Sequence, residues 1–316
     1  MSCRMAVGSR PLVPSRLAPG GIAHGPRRAP TTVIGAYVAL TKLRIIELLL
    51  ITTVPAMVMA QDGWPRWSLV GWTLLGGTLA AGGANAINMV IDRDIDALMP
   101  RTQGRPLVTG LITPRSAMIF AITLEVLAAV VLTWSSNVLA ASLAISGTLF
   151  YVFIYTIWLK RTSTQNIVIG GAAGAVPALV GWAAVRGDVA WPPVILFMVI
   201  FLWTPPHFWA LAIRYADDYR AANVPMLPSV VAPEVAAKKM ISYTIAMVAM
   251  TFVLVPVGHL GWIYAGACAV CGALFLWGSV DLVKNPTPAR SMRLFGFSIT
   301  YVTIVFGALV VDVLVR

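Results

Sequence analysis

The chain has 316 residues, of which 59% are hydrophobic and only 11% charged, and its mean hydropathy is +0.83. A soluble domain of this size carries about a quarter charged residues; too few polar side chains are present here to cover a globular surface, so the bilayer must be the main solvent. The net charge of +11 would suit a nucleic-acid partner, but its distribution along the chain gives it a different cause.

Residues 1–30, MSCRMAVGSRPLVPSRLAPGGIAHGPRRAP, are rich in Pro, Gly and Arg and contain no continuous apolar core of signal-peptide type. They read as a disordered basic cytoplasmic tail. An Arg-bearing, acid-free transit peptide is the competing reading. Apolar stretches long enough to cross a bilayer then follow at 43–60, 68–91, 116–134, 137–158, 166–185, 192–213, 239–258, 261–283 and 294–315. The expected fold is therefore all-α, a polytopic membrane domain of nine helices occupying residues 31–316.

With the N-terminus inside, twenty of the 23 Lys and Arg residues fall on cytoplasmic segments and only Arg66, Arg186 and Arg316 fall outside. This is a strong positive-inside bias. It accounts for the net charge as topology, excludes a nucleic-acid role, and predicts a multi-pass protein of the cell (inner or plasma) membrane with its C-terminus outside. The two long polar connections, 92–115 and 214–238, are both internal, so function is expected on the cytoplasmic side. Cys268 and Cys271 sit inside an apolar helix and read as packing residues. Glu125 and Glu47 read as hydrogen-bonded helix-packing carboxylates rather than catalytic ones.

The first polar connection opens with NAINMVIDRDIDALMPRTQGRPL, from Asn85. On one helix at about 100° per residue, Asn85, Asn88, Asp92 and Asp96 share an arc of about 80°, while Asp94 points to the opposite side. Two carboxylates one turn apart repel unless a cation lies between them. A hard divalent ion such as Mg²⁺ answers this: it takes one or two carboxylates and completes its shell with water and phosphate oxygens. Arg101 and Arg105 follow at once, and Arg suits phosphate.

The sixth span and its sequel read FLWTPPHFWALAIRYADDYRAANVPMLP. Taking the stretch as one helix, Trp203, His207, Arg214 and Asp218 form a stripe, which would put His207 about three turns deep in a cavity with Asp218 at its mouth. The Pro205–Pro206 pair is expected to kink or start a helix segment, and Pro225 and Pro228 require a bend that keeps Asp217 and Asp218 near the mouth. Two acidic mouths, two arginine groups and an apolar interior suit a lipid diphosphate.

These stretches, together with QNIVIGGAAGAVPALVGW at 165–182, resemble the UbiA superfamily of intramembrane prenyltransferases, and within it the branch that modifies haem. The likeness covers nearly everything from Thr41 onward. The resemblance implies nine membrane helices around a central cavity and transfer of a farnesyl group from farnesyl diphosphate to a vinyl carbon of haem b, with water supplying a hydroxyl. By position it assigns Asn88, Asp92, Asp96, Asp217 and Asp218 to Mg²⁺. Asp92, Asp96, Asp218, Arg101, Arg105 and His207 become the catalytic candidates. Asn85, Asn88, Lys42, Arg214, Asp217, Trp203 and Asn166 become substrate contacts. His207 would orient haem, ligate its iron or accept a proton. A haem A synthase or terminal-oxidase assembly is the candidate recipient of product. The chain departs from the family at Leu43, where proline is frequent, at Ala216, where lysine is frequent, and at Asn223, where glycine is usual; Asn tolerates the left-handed conformation next best. A quinone or chlorophyllide prenyltransferase is the nearest rival reading. A transporter is disfavoured because the acids gather at one face rather than at mid-depth.

Overall fold

The computed structural model describes residues 30–316, apart from the side chains of residues 43–50. Residues 1–29 of the expected tail, with Cys3, and the side chains of Leu43 and Glu47 therefore lie outside the described residues. All regular structure among the described residues is helical.

A short helix α1 (Val33–Thr41) leads into α2 (Leu43–Gln61), then α3 (Trp67–Ile91) and the short α4 (Arg93–Leu98). The long helices α5 (Pro114–Ser135), α6 (Val138–Thr162), α7 (Asn166–Arg186) and α8 (Trp191–Arg214) follow. Two short polar helices, α9 (Ala216–Ala221) and α10 (Leu227–Val230), precede α11 (Pro233–Val257), α12 (Trp262–Lys284) and α13 (Pro288–Val315). Eight of the described helices are long and apolar enough to cross a membrane, and α2, of which only Ile51–Gln61 has described side chains, matches the remaining expected span at 43–60. The expectation of about nine spans thus agrees with the helix pattern, and the chain is a multi-pass membrane protein.

Successive long helices run antiparallel because short turns join them. Neighbours in sequence pack together, and α13 returns against α2 and α8, so the bundle closes on itself. Burial is uneven. In α3, α7 and α8 more than half of the apolar membrane-spanning stretch is buried, against 22% in α5, whose outer face is for lipid. The inner helices are also rich in small residues, which let backbones approach closely in a solvent that gives apolar side chains no reason to associate. At Gly181 of α7 an added Cβ would lie 2.5 Å from the carbonyl oxygen of Thr53 in α2. Only glycine allows that crossing.

One end of the bundle carries a girdle of exposed tryptophans: Trp67 starting α3, Trp134 ending α5, Trp191 starting α8 and Trp262 starting α12. Indole rings favour the bilayer interface. The acidic motifs lie at the other end. Near it, residues Phe150–Leu159 of α6 wind as a π-helix, with i→i+5 bonding in place of i→i+4. Pro205 and Pro206 do not interrupt α8, which runs through both as one helix.

Candidate functional site

The polar site is built where backbones break. Helix α3 stops at Asp92 (φ −86°, ψ 6°) and α4 restarts at Arg93, so the single continuous helix expected over 85–96 is two. The sorting of acids nevertheless matches the angular expectation: Asp92 and Asp96 are buried, whereas the Asp94 side chain is 61% exposed. The break turns the chain without undoing the alignment, because Asp96 N still donates to Asp92 O across it.

Asn88 is the hub. Its amide nitrogen donates to Asp92 Oδ2 at 2.7 Å and to Thr156 Oγ1 at 3.1 Å, and its Oδ1 accepts from Lys42 Nζ at 2.9 Å. Lys42 reaches it from the joint between α1 and α2, where the residue adopts the left-handed region with φ 52°. Desolvation in this joint, reinforced by the nearby cations of Arg105 and Lys160, pushes its ammonium down to about 7. Asn85, one turn deeper, donates to Thr41 O at 3.3 Å.

Every carboxylate here has a basic partner. Asp92 accepts from Lys160 through Oδ2, with Arg161 Nη2 at 3.7 Å from its Oδ1. Arg161 grips Asp94 with both Nη atoms at 2.7 Å and donates to Ile91 O. That fork holds the Asp94 carboxyl down at about 2. Arg105 donates to Asp96. Arg101 crosses to the second motif: its Nε is 3.9 Å from Asp218 Oδ2 and its guanidinium lies over the rings of Tyr215 and Tyr219. It therefore ties the two acidic connections together.

The second motif is less concentrated than the sequence suggests. Helix α8 ends at Arg214, before Asp218, because Tyr215 breaks it (φ −107°, ψ 24°). Arg214 lies near the Tyr215 ring. Asp217 is almost fully exposed and paired with Arg220, away from the Arg101 bridge. Asn223 takes φ 52°, the left-handed position expected of it, and starts the bend that presents Pro225 O to the buried Asn166 at 3.5 Å.

Beneath this polar layer lies a cavity of about 290 Å³, bounded by Asn85, Tyr151 and Tyr155 and continuing past Ala84, Gly174, Pro177 and Trp203. Its wall is mostly glycine, alanine and other apolar groups. Tyr155 packs flat on Gly170, where any Cβ would collide with its ring. The stripe predicted for α8 needs correction at His207. Trp203 faces the cavity, but His207 is absent from its wall. Its ring is stacked between Trp203 and Phe295, at 4.1 and 4.5 Å, and its Nδ1 shares a 2.6 Å hydrogen bond with Ser298 Oγ. Glu125 accepts from Thr148, as a helix-packing carboxylate would, and Cys268 and Cys271 are free and buried.

Among the described residues no three carboxylate, histidine or cysteine side chains converge closely enough to hold an ion by themselves; each acid leans on its basic partner instead. The donor chemistry nonetheless fits a hard cation. Asn88, Asp92, Asp96 and Asp218 offer only oxygen toward a metal, and Asp92 Oδ1, in a wholly buried side chain, accepts no hydrogen bond. Sequence reasoning missed Lys160 and Arg161, which it counted only as topology charges, and Tyr151, Tyr155 and Thr156. A basic pair directly ending a span beside an acidic one was the available signal.

The chain is similar to known proteins in sequence and in fold. The UbiA prenyltransferase family model matches residues 49–304. A protoheme IX farnesyltransferase of Clavibacter michiganensis subsp. michiganensis is 51% identical over 281 residues, 88% of this chain and 92% of that one. Its counterpart in Pseudarthrobacter chlorophenolicus is 47% identical over 317 residues, 99% and 97% of the two chains. Among solved structures, a digeranylgeranylglyceryl phosphate synthase superposes with a TM-score of 0.74 at 20% identity, covering 89% of this chain and 98% of that one. A UbiA homolog from Archaeoglobus fulgidus, bound to GPP and Mg²⁺, gives 0.60 at 16% identity, covering 87% and 99%; at such identities the likeness speaks for the fold. The chain belongs to the UbiA prenyltransferase family.

Proposed function

We propose that the chain transfers the farnesyl group of farnesyl diphosphate to a vinyl group of haem b, with hydration, giving haem O and diphosphate. The observation that carries this is the junction of a buried Asn–Asp–Asp oxygen cluster, ringed by Lys42, Arg101 and Arg105, with a small-residue apolar cavity directly below it. A charged head and an isoprenoid tail need that combination in one place. Relatives named protoheme IX farnesyltransferase supply the acceptor.

In this reading the tail lies between α3, α6, α7 and α8 and the diphosphate sits among the basic residues. Asn88, Asp92, Asp96 and Asp218 would hold Mg²⁺, with Asp217 as the outer member of the second motif; a solved UbiA homolog bound to GPP and Mg²⁺ supports a metal beside a prenyl diphosphate in this fold. Mg²⁺, when bound, neutralises the diphosphate and makes it a better leaving group. Arg101 and Arg105 take up the negative charge that develops as the C1–O bond breaks, with Lys42 assisting through Asn88. The apolar wall keeps water from the allylic cation, and the Tyr151 and Tyr155 rings, stacked 5.4 Å apart at the cavity mouth, present π-faces to positive charge. The vinyl carbon attacks C1, water adds to the benzylic-type cation left on the haem side chain, and that water loses one proton. Of the roles open to His207, holding the Trp203 wall is the one its packing supports. Asn166 and Arg214 flank the second motif and contact the acceptor side. The basic end of the bundle faces the cytoplasm.

The test is to incubate membranes carrying the chain with haem b, farnesyl diphosphate and Mg²⁺ and to extract the haem. A mass gain matching a hydroxyethylfarnesyl group is expected. Unchanged haem, with a prenylated quinone precursor formed from the same diphosphate instead, would overturn the acceptor assignment.

A further inference from the structure

The carboxylates that should hold a metal are already neutralised by the protein. Lys160 is bonded to the buried Asp92, Arg105 to Asp96, and Arg101 stands across from Asp218. Leaving Lys42 aside, three cations face these three carboxylates, and Arg161 is matched by the outward-facing Asp94, so the pocket is electrically balanced by itself. A divalent ion arriving alone would add two positive charges beside cations that are buried and poorly screened. A diphosphate arriving alone would bring negative charge to a buried carboxylate pair. Together they come close to cancelling.

The partners of Asp92 are not equally free to move. Arg161 is fixed by its two-pronged grip on Asp94 and by its bond to Ile91 O. Lys160 makes one contact, to Asp92 Oδ2, at the end of a flexible four-carbon stem carrying a point charge. The winding of α6 aims it. Nine residues separate Tyr151 from Lys160, and in an α-helix they make two and a half turns, leaving the two on opposite sides. The π-helical stretch over Phe150–Leu159 takes the same nine residues through about two turns. Tyr151 and Tyr155 at the cavity mouth, Thr156 on Asn88 and Lys160 on Asp92 therefore share one side of α6. Lys160 thus stands where the head of a cavity-bound chain must lie.

We infer that Lys160 is a displaceable counter-ion of Asp92: its ammonium yields the carboxylate to the metal and moves to the diphosphate oxygens, so that metal and diphosphate load together. The inference rests on the metal-diphosphate reading of the site and goes beyond it by assigning Lys160 and an order to loading. A purely structural Lys160 would leave metal affinity untouched or weaken it on removal. A competing Lys160 makes the opposite prediction, because its removal frees Asp92.

The experiment uses the full chain purified in detergent micelles, with Mn²⁺ as a paramagnetic probe and inorganic pyrophosphate as the anion. Free Mn²⁺ is read by electron paramagnetic resonance. Wild type is expected to bind Mn²⁺ at least tenfold more tightly when pyrophosphate is present. Lys160→Met should tighten Mn²⁺ binding without pyrophosphate by about tenfold and cut the pyrophosphate enhancement below threefold. Lys160→Arg, which keeps the charge, should stay near wild type. Lys160→Gln reads the same quantity if the Met variant yields no folded protein. Unchanged or weaker Mn²⁺ binding in the charge-removed variants overturns the counter-ion exchange, even while pyrophosphate still drives Mn²⁺ onto wild type. Failure of wild type to bind Mn²⁺ with pyrophosphate, or binding that survives Asp92→Asn, overturns the metal-diphosphate reading itself.

Discussion

Replacing Asp92 by Asn should damage the protein twice, and a second substitution should separate the two injuries. Asp92 has no exposed side-chain surface, while its partner Lys160 retains 14%. Removing one member of a buried pair typically costs about 3–5 kcal/mol, because the other charge is left behind. The partial exposure of Lys160 and the fact that Arg161 keeps Asp94 put the expected loss near the lower end, about 3 kcal/mol. In the double variant Asp92→Asn, Lys160→Met, the orphaned charge disappears and the methionine stem occupies the space of the lysine. Its stability should return to within about 1 kcal/mol of wild type, about 2 kcal/mol above Asp92→Asn alone, as expected of neighbours in contact. Activity should not return, because Asn cannot replace the carboxylate toward a metal. The assay is thermal unfolding in micelles alongside prenyl transfer on the same preparations. A double variant as unstable as Asp92→Asn alone, or any variant lacking the Asp92 carboxylate that keeps wild-type turnover, would refute this reasoning.

Four further outcomes follow from particular contacts. Gly174 lines the cavity and an added Cβ there meets nothing within 4 Å, so Gly174→Leu should fold but occupy tail space; KM for farnesyl diphosphate should rise about tenfold or more while geranyl diphosphate is less affected. Gly181→Ala would press a methyl against Thr53 O at 2.5 Å and should cost about 1–3 kcal/mol by overpacking, read as a lowered unfolding temperature in micelles. Ser298→Ala leaves the buried Nδ1 of His207 without its partner and should cost about 1–3 kcal/mol, with Mn²⁺-pyrophosphate binding unchanged, since His207 lies off the cavity wall. Asp94, depressed to about 2 by Arg161, contributes its stability in full above the unfolded carboxyl value near 4 and loses it as pH falls toward 2. Because the pair is largely exposed, Asp94→Asn should change stability by less than about 1 kcal/mol and leave the pH profile between 5 and 8 unaltered.

The division of the acids was legible because it depends only on spacing: residues four apart share a side and Asp94 does not, whether or not the helix breaks between them. The spans were legible for a similar reason, since bilayer thickness fixes their length. The left-handed bend at Asn223 was implied by the resemblance, in which glycine usually stands there, together with the tolerance of Asn for that conformation. The reach of the α8 stripe could not, because its angles assumed one helix through Asp218, whereas Tyr215 ends the helix first. That break separates Arg214 from the acids, and His207 turns from the cavity to meet Ser298 of α13. A contact between helices 91 residues apart leaves no periodicity on either one. Lys160 was invisible in its second role because the positive-inside pattern already accounted for it.

The site gathers side chains from several helices and the joints between them, and it does so in two ways. Lys42, Asp92 and Tyr215 each interrupt a helix at the polar end, and each interruption turns a neighbouring side chain inward or outward as needed. Such breaks are affordable there because water can satisfy the freed backbone groups, whereas within the hydrocarbon an unpaired N–H or C=O costs several kcal/mol. Helix α6 faces a different problem. It must connect Tyr151, at the cavity mouth, with Lys160, nine residues on, and it cannot break between them without exposing backbone at depth. Winding more widely keeps every bond inside the helix while bringing Tyr151, Tyr155, Thr156 and Lys160 to one side. Deleting a single lipid-facing residue such as Phe153, which is 57% exposed, leaves eight residues from Tyr151 to Lys160, and an α-helix takes eight residues through about 2.2 turns, close to the two turns of the wider winding. The deletion should therefore let the stretch relax to α-helix with Lys160 still on the Asp92 side and the pyrophosphate coupling of Mn²⁺ binding largely kept; a deletion variant that binds Mn²⁺ without pyrophosphate as Lys160→Met does would show that the wide winding itself is needed.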